Sequence, residues 1–234
     1  MKKALLAVTG LFLVAVLNAQ SLEEIVNRYT KANKFDQLSK LSSIKITAKM
    51  SMASMNLTLP MEVWMKNPDK IKQVTDFNGQ KIISAFNGTK GYSINPMGGS
   101  EKPVDMSADE IKQARNNIMF KNILQESLKA GKLTLLGVEN VKEKPAFKVK
   151  ADLDGIPVVL YIDKESYLVS KQTTTVSQGG METTVDSYPS DYKEVNGIIL
   201  PMKTTSSTQG IDVMMTYEKV EVNIPMEDSI FTLN

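Results

Sequence analysis

The chain reads as a mainly β protein with helices (α+β), about a dozen antiparallel strands whose sheet must curve strongly or close toward a barrel. Three observations carry this. The dipeptides Asn78-Gly79, Asn87-Gly88, Asp154-Gly155, Gly179-Gly180, Asn196-Gly197 and Gln209-Gly210 punctuate short runs of alternating polarity, which is the spacing of an antiparallel meander. Only two stretches carry helical signals, too few for a βαβ arrangement. One hairpin, over 44–65, states its own pairing, and a sheet of this many strands does not stay flat.

In chain order, Lys2-Lys3, an apolar run over 4–17 and Asn18-Ala19-Gln20 predict a secretory signal peptide over 1–19, cut after a small residue. The run is short for a membrane span, which needs about 20 residues. The bulky Leu17, two positions before the cut, keeps a retained N-terminal anchor as the alternative. Leu17-Asn18-Ala19-Gln20 also resembles a lipoprotein processing box with Gln20 in the place of the lipidated cysteine; the chain has no cysteine, so it is not itself lipidated. The expected product is an exported, soluble protein of one domain over 20–234. It lacks disulfides and must be held by its core. Losing Lys2 and Lys3 leaves 26 basic against 26 acidic residues, and only Arg28 and Arg115 are arginines. A neutral chain of this kind is a poor nucleic-acid partner.

Ser21 with Glu24 forms a capping box ahead of Leu22, Ile25, Val26 and Tyr29, predicting a helix over 22–38. The hairpin follows. Ile44, Ile46, Ala48, Met50 and Met52 alternate with polar residues, and so do Leu57, Leu59, Met61, Val63 and Met65. Placing Met52 opposite Leu57 pairs Met50 with Leu59, Ala48 with Met61, Ile46 with Val63 and Ile44 with Met65. A slip of one residue would turn one strand's apolar set to the other face. The nine larger side chains, at roughly 1.5–3 kcal/mol each if fully buried, require a cover. The protein's own helices would serve. So would an apolar ligand, for which flexible thioethers are suited.

Strands are predicted over 71–77, 81–86, 91–94, 133–139, 146–153, 157–162, 168–175, 182–188, 199–206 and 212–222. The segment from Pro96 through Gly98-Gly99 to Pro103 is expected to be a mobile loop. Behind it, Ser107 with Glu110 forms a second capping box, and Ile111, Ala114, Ile118, Ile123, Leu124 and Leu128 run toward Gly131, with a break expected at Asn116-Asn117.

The chain has no histidine or cysteine, so serine–histidine triads, cysteine nucleophiles and the usual zinc sites are excluded. Carboxylate chemistry would fall to Asp163 and Glu165, or to Asp186, Asp191 and Glu194, all in turn-like or exposed strand contexts. Gly98-Gly99-Ser100 lacks the strand-to-helix turn of a phosphate loop, and Lys90-Gly91 reads as a turn. Trp64 and Phe86 read as packing aromatics, with the Lys45 stem across from Trp64. Met226-Glu227-Asp228-Ser229 reads as a polar turn before a final apolar anchor, Ile230-Phe231.

Three stretches resemble one family: Phe86-Asn87-Gly88-Thr89-Lys90-Gly91-Tyr92-Ser93-Ile94-Asn95-Pro96, Tyr161-Ile162-Asp163-Lys164-Glu165-Ser166-Tyr167-Leu168-Val169-Ser170-Lys171, and Asp191-Tyr192-Lys193-Glu194-Val195-Asn196-Gly197-Ile198-Ile199-Leu200-Pro201. They are similar to segments of the outer-membrane lipoprotein-sorting proteins of the periplasm, with the LolA/LolB-type fold, in the variant typical of Bacteroidota. The resemblance implies an incomplete antiparallel β-barrel whose concave face is covered by helices, with an apolar cavity for acyl chains between them. It implies a non-enzymatic periplasmic carrier or chaperone for transport toward the outer membrane, a monomer without cofactor or metal. Its partners would be acylated lipoproteins or lipids and a membrane-protein donor and acceptor. Ile44, Ile46, Met50, Met52, Leu57, Leu59, Met61, Val63 and Met65 would line the cavity. Two features of such carriers have no counterpart: an arginine on an early strand that holds the helical lid, absent between Ile44 and Pro96, and a long partner-binding loop. The fold also serves glycolipid carriers, so it does not by itself fix the cargo, and envelope sensors that bind a regulatory protein, the alternative expectation.

Overall fold

The computed structural model describes residues 20–153, 156–178, 181–208 and 210–233. The predicted signal peptide and the turns at Asp154-Gly155 and Gly179-Gly180 lie outside them. Helices α1 (Leu22–Ala32) and α2 (Phe35–Leu38) precede strands β1 (Ser43–Met52), β2 (Leu57–Lys66), β3 (Lys70–Phe77), β4 (Gln80–Phe86), β5 (Gly91–Asn95) and β6 (Ser100–Asp105). Helices α3 (Ala108–Asn116) and α4 (Ile123–Lys129) follow. Strands β7 (Thr134–Val141), β8 (Lys144–Leu153), β9 (Ile156–Asp163), β10 (Val169–Gln178), β11 (Met181–Val195), β12 (Ile198–Thr208) and β13 (Ile211–Val222) complete the fold.

All thirteen strands form one sheet in the order β6-β5-β4-β3-β2-β1-β13-β12-β11-β10-β9-β8-β7. Every neighbour is a sequence neighbour except at β1·β13, where the first and last strands pair antiparallel with Ile46 opposite Val220. The edges β6 and β7 do not pair, so the barrel is open, and the segment that joins them in sequence carries α3 and α4. The helices lie on the concave face. There α2 and α3 pack with β1–β4, β12 and β13, while α1 and α4 pack with β8–β10. This is the curved, incomplete barrel expected from the sequence. The β1·β2 ladder has the predicted register at all five apolar pairs, from Ile44↔Met65 to Met52↔Leu57.

Both predicted helices are interrupted. Ser21 caps α1 by accepting from the Glu24 backbone N–H at 3.1 Å, but the Glu24 carboxylate turns to Arg28 at 2.7 Å. The helix predicted over 22–38 stops at Asn33, whose side-chain amide donates to the Tyr29 carbonyl at 2.9 Å, and Lys34 takes a left-handed conformation (φ 52°). Such local bonds compete with helix continuation. The kink has a use: α1 buries Ile25, Val26 and Tyr29 in one cluster, and α2 carries Leu38 into the other. The second helix breaks where expected. The complete capping box Ser107/Glu110 opens α3, and Asn122 opens α4 by accepting from the Gln125 N–H while donating to Thr30 Oγ1 at 2.7 Å.

The expected loop from Pro96 to Pro103 is a correction. Only Pro96–Gly98 forms a turn, capped by Asn95, and Ser100–Asp105 pairs with β5 as an edge strand. An edge tolerates Pro103 because its missing donor need not face a partner.

The C-terminal turn behaves as predicted. Phe231 is fully buried, and Asp228 binds Lys66 at 2.7 Å and Lys70 at 2.6 Å. Hydrogen bonds from these two ammonium groups hold the Asp228 carboxyl down at about 2. A depressed carboxyl stabilises the fold above the unfolded carboxylate range, and that contribution is lost as pH falls through about 2. In a pH titration followed by NMR, Asp228 should titrate near 2. In a Lys66→Ala/Lys70→Ala variant it should return toward the ordinary value of about 3.9.

Candidate functional site

The apolar face of the β1–β2 hairpin lies on the concave side of the sheet, and its two ends differ. At one end Ile44, Ile46, Leu59, Met61, Val63 and Met65 are buried. Most of these join Leu38 of α2, Ala114 of α3 and Ile118 and Phe120 of the α3–α4 connection in one cluster. At the other end Met50, Met52 and Leu57 are only half-buried, and across the β1·β13 seam Met50 faces Met215, also half-buried. The protein's own helices therefore cover one end of the face and leave a methionine-bearing strip at the other. The alternation in sequence is the same at both ends, so it carries no signal of where the cover stops.

The ladder also places residues beside this strip that the sequence did not single out. On one flank Gln73, Thr75 and Ser84 share its face, through Val63↔Gln73, Met61↔Thr75 and Gln73↔Ser84. On the other, Thr204 neighbours Met215, Ser206 neighbours Val213, and Ser187 and Gln172 continue the row. No periodicity announces them, because residues 172–175 read Gln-Thr-Thr-Thr and are polar on both faces.

Two cavities flank the α3–α4 segment where it meets the sheet. One, of about 170 Å³, is lined by Tyr29, Arg115, Ile118, Lys121, Glu126, Leu160 and Gln172 among others. The second, of about 200 Å³, lies between α3 and β3–β5 and is lined by Ile71, Gln73, Ser84, Ser93 and Met106 among others. Neither is lined by any of the nine predicted hairpin residues. Both are below the roughly 300–1,000 Å³ of typical ligand pockets.

A cation–aromatic contact helps to seat α3. The Arg115 guanidinium lies 5.3 Å from the ring centre of Phe86, a fully buried residue of β4. The arginine is thus on the cover and the aromatic ring on the strand. Such a contact contributes roughly 0.5–1 kcal/mol at an exposed site. Arg115→Met, which keeps an apolar stem, should quicken amide exchange in α3 by about two- to fivefold and leave β8–β9 unchanged.

The other residues weighed from sequence have structural roles. Asp163 closes the turn after β9, accepting from the Glu165 and Ser166 backbone N–H groups at 3.1 and 2.8 Å. Burial pushes the Asp186 carboxyl up, but Lys171 at 2.8 Å and the Thr173 hydroxyl at 2.6 Å outweigh it and hold it below the usual carboxylate range. Asp191 pairs with Lys193 and Glu194 with Lys34. Trp64 stands on the convex face with Lys45 Nζ 5.1 Å from its ring centre.

No family model and no curated protein matches the chain. Solved structures do. The chain is similar to a LolA superfamily protein from Nitrosomonas europaea, at 13% identity over 92% of this chain and 98% of that one, with a TM-score of 0.61. A domain described as that of an outer membrane lipoprotein-sorting protein, from Vibrio parahaemolyticus, has 11% identity over 90% and 97% of the two chains and a TM-score of 0.59. A DUF1329 family protein from Desulfovibrio piger has 14% identity over 89% and 97%, with a TM-score of 0.59. The fold is therefore the LolA-like one: an open, curved antiparallel barrel with helices on its concave face.

Proposed function

We propose that this protein is a periplasmic carrier or chaperone that takes acyl chains of lipoproteins or related lipids onto its concave face for transfer toward the outer membrane. The single observation that carries the reading is the half-buried strip Met50, Met52, Leu57 and Met215, left uncovered at the end of an apolar face whose other end is under helices. Exposed apolar area costs about 25 cal/mol per Å², so such a strip favours an apolar occupant. Thioether side chains adapt to chains of variable shape. The LolA-like fold supports this reading, and so does the engagement of Asp163, Asp186, Asp191 and Glu194 in turns and ion pairs. Among the described residues no helix is long and apolar enough to cross a membrane.

The test is extraction of lipids and acylated proteins that co-purify with the protein from its native envelope, followed by mass spectrometry, with uptake of a fluorescent acyl probe in parallel. Met50→Leu/Met52→Leu keeps the strip apolar, so it should cost under about 1.5 kcal/mol per site and preserve uptake. A protein that is always empty and takes up no probe would end the proposal.

A further inference from the structure

We infer that the protein docks on a lipid bilayer through one rim of its barrel, formed by the tips of the β1–β2 and β12–β13 hairpins. The inference deepens the carrier reading and rests on it for what passes through that rim. The observation is a gap in the charge pattern. The chain carries no Asp, Glu, Lys or Arg between Lys49 and Glu62, between Lys203 and Asp212, or between Lys171 and Glu182, runs of twelve, eight and ten residues in a chain that is 23% charged. The ladder gathers these runs. Ser51 faces Met214 across the β1·β13 seam, so the tip of the first hairpin lies beside that of the last. The third run falls on β10 and β11, next along the same rim. The gap ends at the β3–β4 hairpin, where Asp76 and Lys81 stand opposite each other. The other end of the barrel is the reverse, with Lys66, Asp69 and Lys70 about the β2–β3 turn and Lys164 and Glu165 at the β9–β10 turn.

The tips are apolar as well as uncharged. Met55 in the turn after β1, and Ile211 and Met214 at the start of β13, are exposed. They continue outward the half-buried strip of Met50, Met52, Leu57 and Met215. The charges that bound the two hairpin tips, Lys49, Glu62, Lys203 and Asp212, stand on the convex face, away from the strip. A rim that meets only water gains nothing by omitting charge over neighbouring hairpins. A rim that enters the boundary between headgroups and hydrocarbon must omit it, because a charge there loses its water. The partner of matching chemistry is the bilayer itself, held by apolar contact and without the cationic cluster that reads lipid charge. Docked in this way, the protein offers an acyl chain a path from the leaflet to Met52 and Leu57 that crosses no charged side chain of the two hairpins.

The experiment is flotation of the protein, purified from its native envelope, with phosphatidylcholine vesicles, with and without phosphatidylglycerol and at low and high salt. It should float equally in all four conditions. Met55→Asp/Met214→Asp, checked for folding by circular dichroism and thermal unfolding, should bind the vesicles at least about tenfold more weakly, a loss of about 1.4 kcal/mol. It should still take up a fluorescent acyl probe supplied in solution. Met55→Asp alone, at an exposed turn, repeats the test with less burden on folding. Absence of flotation overturns the inference, and a dimer in sedimentation velocity that the aspartate variant breaks would then give the rim to a second copy. Flotation that survives in the variant, or that needs phosphatidylglycerol and disappears at high salt, also overturns it. A folded variant that loses the soluble probe as well assigns these side chains to the acyl site and overturns their docking role. Failure of the unchanged protein to take up the soluble probe removes the carrier reading, while the flotation result stands by itself.

Discussion

Met61→Glu should abolish stable folding, whereas Met50→Glu should leave a folded protein that no longer takes up acyl chains. The two positions lie on the same face of adjacent strands, one residue pair apart in the ladder. Met61 is 7% exposed and belongs to the cluster under Ala114, Ile118 and Phe120. A carboxyl placed there has no partner among those side chains, and a cost above about 4 kcal/mol is the expected consequence of burying an unpaired charge. That is a large share of the roughly 5–15 kcal/mol that holds a domain together. The sign with pH is a second check. Burial raises the new carboxyl's pKa in the folded state, so the variant should be least unstable below the unfolded value of about 4.3 and lose stability as pH rises above it. Met50 is half-buried on the uncovered strip, where a carboxylate reaches water in the empty protein and meets hydrocarbon only when a chain is bound. Denaturant unfolding and fluorescent-lipid uptake on both variants check the pair. Normal uptake by a folded Met50→Glu protein would show that acyl chains do not use this strip.

Phe231→Ala should cost about 3–5 kcal/mol, lowering the melting temperature by about 6–20 °C, although the residue lies only three positions from the end of the chain. Terminal residues are usually dispensable, but this one is fully buried and closes the turn that carries Asp228. The same tail is fastened by Lys66 Nζ to the Met226 carbonyl at 2.8 Å and by Ser43 Oγ to the Ile224 carbonyl at 2.7 Å. Removing the ring therefore frees a strap across the β1·β13 seam. Glu227→Ala, exposed and one turn earlier, should stay within about 0.5 kcal/mol. Thermal unfolding by differential scanning calorimetry separates the two.

The sequence was readable where polarity contrast is strong. The hairpin's register was legible because ten alternating positions allow one pairing, and both helix starts were legible because Ser21 and Ser107 stand three residues before glutamates. Strand β6 was not, since Pro96, Gly98-Gly99 and Pro103 are breaker residues and Val104 is the one large apolar side chain in the strand. The break after Ala32 was missed because Asn33 acts through a side-chain bond that periodicity does not record. Within the site, the methionine strip was foreseen as part of a uniform apolar face. Its division into covered and uncovered ends is a tertiary fact about where α3 lies. The hydroxyl flank was invisible because threonine and serine occupy both faces of β10, and only the ladder says which ones turn inward.

The pairing of β1 with β13 has a consequence for how such a chain is made. Ser42 and Asn223 are hydrogen-bonded although 181 residues apart, and the seam they fasten runs along the apolar hairpin. A chain produced from its N-terminus forms that hairpin early, and the open edge of β1 beside its apolar face waits for a partner until β13 has been made. Contacts of such long range also fold slowly. Holding factors that keep nascent chains from clumping would therefore matter most over Ile44 to Met65, and a shortened chain ending before Ile211 should aggregate through that hairpin. The surface proposed to receive a guest is thus the one that needs shelter before the protein is finished.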